Sequence, residues 1–189
     1  MSKVIGIDEV GRGAWAGPLV VGAVLLSKDI VGLEDSKKLN KNEREKLASE
    51  INAIAEFVGL GWVSASEVDD LGLTKATSLA CARALKHAPK NIEIIIDGSV
   101  NYLHDNKLAR TLINADDSVP AVSAASIVAK VARDEFMEVQ SKQYPCYRFE
   151  SNAGYGTAQH KTAIDENGLT PIHRWSFKPI KNFMEKYET

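Results

Sequence analysis

Two adjacent carboxylates, Asp8 and Glu9, close the short apolar run Val4-Ile5-Gly6-Ile7, and Val10 leads at once into Gly11-Arg12-Gly13. An apolar strand ordinarily avoids charge, because burying an unpaired carboxylate is costly or shifts its pKa until it neutralises. Alternation along a strand sends Asp8 and Glu9 to opposite faces, so both serve one site only if the chain bends there, and Gly11 and Gly13 permit that bend. Asp97 repeats the pattern, since the run Ile92 to Ile96 ends on it and Gly98 follows. In α/β sheets ligands gather beyond the carboxyl ends of strands, where all three acids fall. Asp116, just ahead of a helix start, adds a fourth. Four carboxylates held together repel one another unless cations neutralise them, and hard cations such as Mg²⁺ or Mn²⁺ take oxygen ligands. Pairs of such ions about 4 Å apart activate a water and hold a leaving oxygen in phosphodiester cleavage. The chemistry indicated is a divalent-cation site beside a backbone cradle for a phosphate or sugar. The competing reading is a strand that runs into an exposed, charged turn.

The elements that must position these acids belong to an ordinary globular chain. Its 189 residues, 44% hydrophobic and 25% charged, suit one domain with a proper core. A net charge of -2 neither indicates nor excludes a polyanionic partner. Cys81 and Cys146 have no metal-ligand spacing and form no disulfide framework, so a reducing, cytoplasmic location is expected. No secretory signal is read at the start. The longest apolar stretch, Ala14 to Leu26, contains Gly17, Pro18 and Gly22 and falls short of the roughly 20 residues of a membrane span.

The patterning predicts strands at Val4 to Val10, Leu19 to Leu26, Phe57 to Ser64, Ile92 to Asp97 and Arg110 to Asn114. Asn40 with Glu43 resembles a capping pair opening a helix to about Ala55. A short helical turn is expected at Ser66 to Leu71, then helices at Leu73 to His87, Val122 to Gln143, Thr157 to Asn167 and Lys181 to Tyr187. Ala124, Ala125, Ala129 and Ala132 suit tight docking of the long helix. Strands alternating with helices indicate an α/β layer fold, with residues 144–189 as a modest C-terminal part.

The motifs also match a family. Gly6-Ile7-Asp8-Glu9-Val10-Gly11-Arg12-Gly13, followed by Ala16-Gly17-Pro18, resembles the opening signature of ribonuclease HII. The resemblance continues through Asp35-Ser36-Lys37-Lys38-Leu39, Ile96-Asp97-Gly98 and the stretch from Ser123 to Asp134. It ends in Gly154-Tyr155-Gly156-Thr157, His160 and Pro171-Ile172-His173-Arg174-Trp175-Ser176-Phe177. It implies a ribonuclease H-like fold, with a central mixed five-stranded sheet flanked by helices and a small helical C-terminal part. It implies a metal-dependent endoribonuclease that hydrolyses RNA in RNA–DNA hybrids and cuts 5′ to single ribonucleotides in duplex DNA, leaving 3′-hydroxyl and 5′-phosphate ends. Two Mn²⁺ or Mg²⁺ ions would be held by Asp8, Glu9, Asp97 and Asp116, with Asp117 the competitor for the last place. Gly11, Arg12 and Gly13 would read the ribose 2′-hydroxyl, largely through backbone, and Tyr155 would pack on the neighbouring deoxyribose. The chain departs from the pattern at Ala153, where a lysine is usual, and at Ala14 and Trp15.

Other residues keep two readings. Lys37 is a phosphate contact or solvated charge. Ser123, Ser126 and Lys130, at helical spacings, offer hydroxyls and an ammonium to a phosphate, or the serines cap the helix. Asp134 is explained by a helix-surface pair with Lys130. His160 and His173 are expected to pack beside aromatics, Arg174 and Lys178 to face phosphate while Trp175 and Phe177 anchor the C-terminal part, and Trp62 to lie in the core. A monomer is expected, and contact with a sliding clamp is left open. The rivals are a ribonuclease HIII-like nuclease, disfavoured because the chain starts directly at its first catalytic strand, and a catalytically silent duplex-binding module.

Overall fold

A computed structural model describes residues 3–28, 30–33 and 39–187. Five strands are present: β1 (Val4–Val10), β2 (Leu19–Leu26), β3 (Ala55–Val63), β4 (Glu93–Asp97) and β5 (Ala109–Leu112). They form a mixed sheet in the order β3-β2-β1-β4-β5. β2 is antiparallel to both β1 and β3, whereas β1, β4 and β5 run parallel. The carboxyl ends of β1 and β4 therefore lie side by side.

The helices are α1 (Lys41–Ile54), α2 (Ala65–Ala84), α3 (Pro120–Gln143), α4 (Phe149–Asn152), α5 (Ala158–Asn167) and α6 (Lys178–Tyr187). Asn40 and Glu43 form the reciprocal cap that their spacing predicts. Gly72, at φ 72°, breaks α2 into the short and long segments expected from the sequence. α3 begins at Pro120, because proline suits the first turn of a helix. α6 also begins earlier than expected, at Lys178.

The long α3 lies directly against the sheet. A Cβ on Gly6 or Gly22 would collide with the backbone of Ala121 or Ala125. Only glycine in the strand and small residues in the helix allow so close an approach. On the opposite face Ile5, Ile7, Leu19, Val21, Ile94 and Ile96 pack against Val68, Ala76, Ala80 and Ala84 of α2. α1 and α3 share a second cluster containing Val24, Leu47, Ile51 and Val128. A third, with Met137, Tyr147, Phe149, Ile164 and Ile180, extends to Ala16 and Trp15 and so ties the C-terminal helices to the loop after β1. Trp62 is only half-buried, beside Phe136 with ring centroids 5.9 Å apart, rather than in the core.

Candidate active site

β1 stays regular through the acids, with Asp8 opposite Gly22 and Glu9 opposite Val21. The bend anticipated at the acids comes only after Val10, so the two carboxylates leave the strand on opposite faces. Asp8 points toward α3, where the Ser126 hydroxyl donates to it, and one of its oxygens also accepts the Glu9 N–H at 2.8 Å. Glu9 turns to the other face, where Arg12 Nη1 donates to its Oε1 at 3.2 Å. Arg12 also donates to the hydroxyl of Tyr102. Ile7 pairs with Ile96 in the parallel register, which sets Asp8 and Asp97 as the next neighbours, and Asp97 acts electrostatically on both Asp8 and Glu9. Asp97 Oδ1 accepts the Ala115 N–H at 2.7 Å, fixing the turn Ala115–Asp117 beside the strand end. Asp116 is half-buried in that turn and its carbonyl accepts the Ser123 hydroxyl at 2.6 Å; Asp117 is exposed.

Charge in this cluster is poorly balanced. Burial pushes Asp8 up to about 7, against the Ser126 bond, and repulsion from Glu9 and Asp97 adds to the rise. Burial also raises Glu9, with Arg12 opposing and Asp97 reinforcing the shift. Among the described residues no three His, Cys, Asp or Glu side chains already stand as a ligand cluster. The donor chemistry nevertheless suits a hard cation, because the acids offer only oxygen and their repulsion is what such an ion relieves.

The loop after Val10 turns at Gly11, with φ 81°. Gly13 has no left-handed φ, and nothing lies within 4 Å of where its Cβ would be. The protein itself therefore does not require glycine there, and the space it leaves faces outward. The loop is stitched to two distant segments. Trp15 and Ala16 N–H groups both donate to the Gly154 carbonyl, at 2.8 and 3.1 Å, while Arg174 N–H donates to Trp15 and Gly17 N–H to Ile172, each at 2.8 Å. Tyr155, 37% exposed, is thereby held next to the turn, with its ring 5.5 Å from the Arg133 guanidinium carbon.

Several expected roles change. Arg174 does not face phosphate: it is 0% exposed, with Nε and Nη2 on the Gly17 carbonyl at 3.1 and 2.9 Å and Nη1 on that of Arg12 at 2.9 Å. Burial and repulsion from Arg133 pull it down to about 9. Trp175 does not anchor the C-terminal part, being 51% exposed, whereas Phe177 packs under Arg174. Ser123 is 2% exposed, and its hydroxyl lies within hydrogen-bond distance of the Leu33 and Asp116 carbonyls, so it neither caps α3 nor reaches a phosphate. Lys130 pairs with Asp134 at 2.7 Å. Lys37 lies outside the described residues. His160 and His173 are buried with their Nε2 atoms 3.0 Å apart.

Two residues of the site had no role read from sequence. Tyr102, which receives Arg12, sits in an irregular segment that carries no periodic signal. Arg133 is 0% exposed and does carry one, since Ala125, Ala129, Arg133 and Met137 recur every four residues on the buried face of α3.

The family model for ribonuclease HII matches residues 5–180. A ribonuclease HII of Geobacillus sp. (strain WCH70) is 44% identical over 185 residues, covering 96% of this chain, which spans 66% of that relative's length. A ribonuclease HII of Halorhodospira halophila is 41% identical over 184 residues, 96% of this chain and 94% of that protein. Among solved structures, the ribonuclease H2 of Pyrococcus horikoshii OT3 superposes with a TM-score of 0.86 at 28% identity, covering 99% of both chains.

Proposed function

Because the chain belongs to the ribonuclease HII family, and is an endoribonuclease by that membership, we propose that it hydrolyses the RNA of RNA–DNA hybrids and cuts 5′ to single ribonucleotides embedded in duplex DNA. The products are a 3′-hydroxyl and a 5′-phosphate. The observation that carries this reading is a juxtaposition: the acid-bearing ends of β1 and β4 adjoin a glycine turn that is stitched to the segment bearing Tyr155.

In this reading Asp8, Glu9, Asp97 and Asp116 hold two divalent cations, Mn²⁺ or Mg²⁺; Asp8 and Glu9 leave opposite faces but reach past the strand end, where Asp97 acts on both. When bound, the cations would neutralise the acids and supply an activated water and a counter-charge for the departing oxygen. The protein orients the carboxylates beforehand. The Ser126 hydroxyl and the Glu9 N–H hold Asp8, and the Ala115 N–H holds one oxygen of Asp97. Asp8 and Asp97 thus keep their orientation despite mutual repulsion. The Arg12 side chain is engaged by Glu9 and Tyr102. Recognition of the ribose therefore falls to the backbone of Gly11, Arg12 and Gly13, where the open space at Gly13 admits a sugar and the 2′-hydroxyl distinguishes RNA from DNA. The exposed face of Tyr155 packs on the next deoxyribose. Lys130 contacts phosphate by exchanging Asp134 for it, and Lys37 adds a second contact.

No helix among the described residues is long and apolar enough to cross a membrane. A cytoplasmic location belongs to the proposal and is supported by the two free cysteines, Cys81 and Cys146.

The test is cleavage of a DNA duplex containing one ribonucleotide, in Mg²⁺ or Mn²⁺, with the cut mapped at nucleotide resolution. One incision 5′ to the ribonucleotide is expected. Cleavage confined to long hybrids would remove the junction roles of the Gly11–Gly13 turn and Tyr155, as for a ribonuclease HIII-like enzyme. Binding without cleavage in either cation would mark a silent duplex-binding module.

A further inference from the structure

Four buried polar side chains converge on the backbone that joins the Gly11–Gly13 turn to Tyr155. Arg174 holds the carbonyls of Arg12 and Gly17. Arg133 donates from Nε to Pro18, from Nη1 to Ala153 and from Nη2 to Ala16, at 2.9, 2.8 and 3.1 Å. Its side chain passes directly behind Gly11, where a Cβ would strike it, and its guanidinium lies beneath the Tyr155 ring. The histidines complete the set. Thr170 N–H donates to His173 Nδ1 at 2.9 Å, so His173 carries its proton on Nε2 and donates it to His160 Nε2 at 3.0 Å. His160 must then be protonated on Nδ1, which donates to the Tyr155 carbonyl at 3.0 Å. The chain of donors runs one way, from Thr170 to Tyr155, and both rings are neutral within it.

Among the described residues neither buried arginine forms a salt bridge. Their partners are carbonyls of irregular loops that no strand or helix ladder can satisfy. A guanidinium, with five N–H groups in a fixed fork, is the side chain suited to serve several such carbonyls at once. None of the four residues hydrogen-bonds to Asp8, Glu9 or Asp97, which are positioned by sheet register and by Ser126 and Ala115.

We infer that Arg133, Arg174, His160 and His173 are positioning residues that hold the Gly11–Gly13 turn and Tyr155 in one mutual geometry, and so set the preference for a ribonucleotide–deoxyribonucleotide junction without touching substrate. This inference rests on the junction reading proposed above. A loosened loop blurs the distance between the ribose contact and the deoxyribose contact, which matters where one 2′-hydroxyl must be found. It leaves the strand-borne acids in place, so hybrids offering a ribose at every position are still cut.

The experiment measures kcat and KM for a single-ribonucleotide duplex and for a long RNA–DNA hybrid, and compares the ratio of kcat/KM between them. Arg174→Lys keeps the charge but replaces the fixed fork that spans the Arg12 and Gly17 carbonyls with a single nitrogen on a flexible stem. His173→Gln and His160→Gln interrupt the donor chain. Each is expected to lower the junction preference by roughly tenfold while leaving kcat on the long hybrid within about threefold of wild type. Ile51→Val, in the core away from the loop, is the control for general destabilisation and is expected to keep the ratio. Should Arg174→Lys fail to fold, the two histidine variants carry the comparison. An unchanged ratio in the folded variants, while Tyr155→Ala lowers it, would overturn the inference and leave the junction reading intact. An unchanged ratio in Tyr155→Ala as well would overturn both.

Discussion

Buried charge occurs in two regions of this protein with opposite accounting. At the ends of β1 and β4, carboxylates sit on regular strands positioned by the sheet, yet their charges repel and burial pushes Asp8 up to about 7. Around the loop after β1, the backbone is irregular, yet Arg133 and Arg174 place their donors on carbonyls. In the first region the backbone is regular and the charge of the side chains is unbalanced. In the second the side chains are what satisfy the backbone. Burial of charge alone is therefore a poor guide to chemistry, and the kind of partner decides. An acid among acids has a charge that a cation would relieve, whereas a guanidinium among carbonyls is already complete.

The contrast predicts opposite outcomes for substitutions that remove charge. The largest effect on activity is expected at Asp97: Asp97→Asn should lower turnover by at least roughly 10³-fold, with an unchanged circular dichroism spectrum. Arg133→Met should do the reverse in kind, leaving the carbonyls of Ala16, Pro18 and Ala153 unpaired and lowering unfolding free energy in urea by about 3 kcal/mol or more. A third effect concerns pH. The folded pKa of Asp8 is raised above its ordinary 3.8, so its contribution to stability is full below that value and is lost as pH rises through about 7. With chelator present, Asp8→Asn should gain stability relative to wild type between pH 4 and pH 7, and the difference should be flat above. The buried histidines titrate alike in both proteins and cancel. The smallest effect is expected for Lys130→Ala, whose lost pair with Asp134 is worth about 0.2–0.5 kcal/mol. A large loss of cleavage with stability intact would show that Lys130 meets phosphate.

The two regions also differed in how far the sequence disclosed them. The positions of Asp8, Glu9 and Asp97 at strand ends were legible because they close apolar runs, that of Asp116 because it precedes a helix start, and the turn and Tyr155 stand out as short contiguous motifs. That Asp8 and Glu9 diverge was legible from strand alternation, but the glycines suggested a bend at the acids, and β1 stays paired through Val10. The loop network was hidden for a physical reason. Its acceptors are backbone carbonyls far away in the chain, and a carbonyl leaves no mark on residue type. Arg174, set among Trp175, Phe177 and Lys178, reads as a nucleic-acid surface; only the packing of residues 172–174 against Ala16 reveals an interior position. Arg133 was recoverable from the four-residue period of α3. The fold was disclosed more fully, through the cap at Asn40 and the small residues on α3, whereas the close approach at Gly6 and Gly22 shows only in the packing. The errors lie at element ends, including both ends of β3 and β5, the end of α2 and the starts of α3 and α6, and at the short α4, which was not expected.

The most direct measurement is calorimetric titration of Mn²⁺ into chelator-treated protein at pH 8, comparing wild type, Asp97→Asn and Arg174→Lys. Saturable binding to wild type and Arg174→Lys, abolished in Asp97→Asn, is expected if the strand-end acids are the cation site and the buried arginines serve the loop. Equal binding by Asp97→Asn, or its loss in a folded Arg174→Lys, would contradict that division.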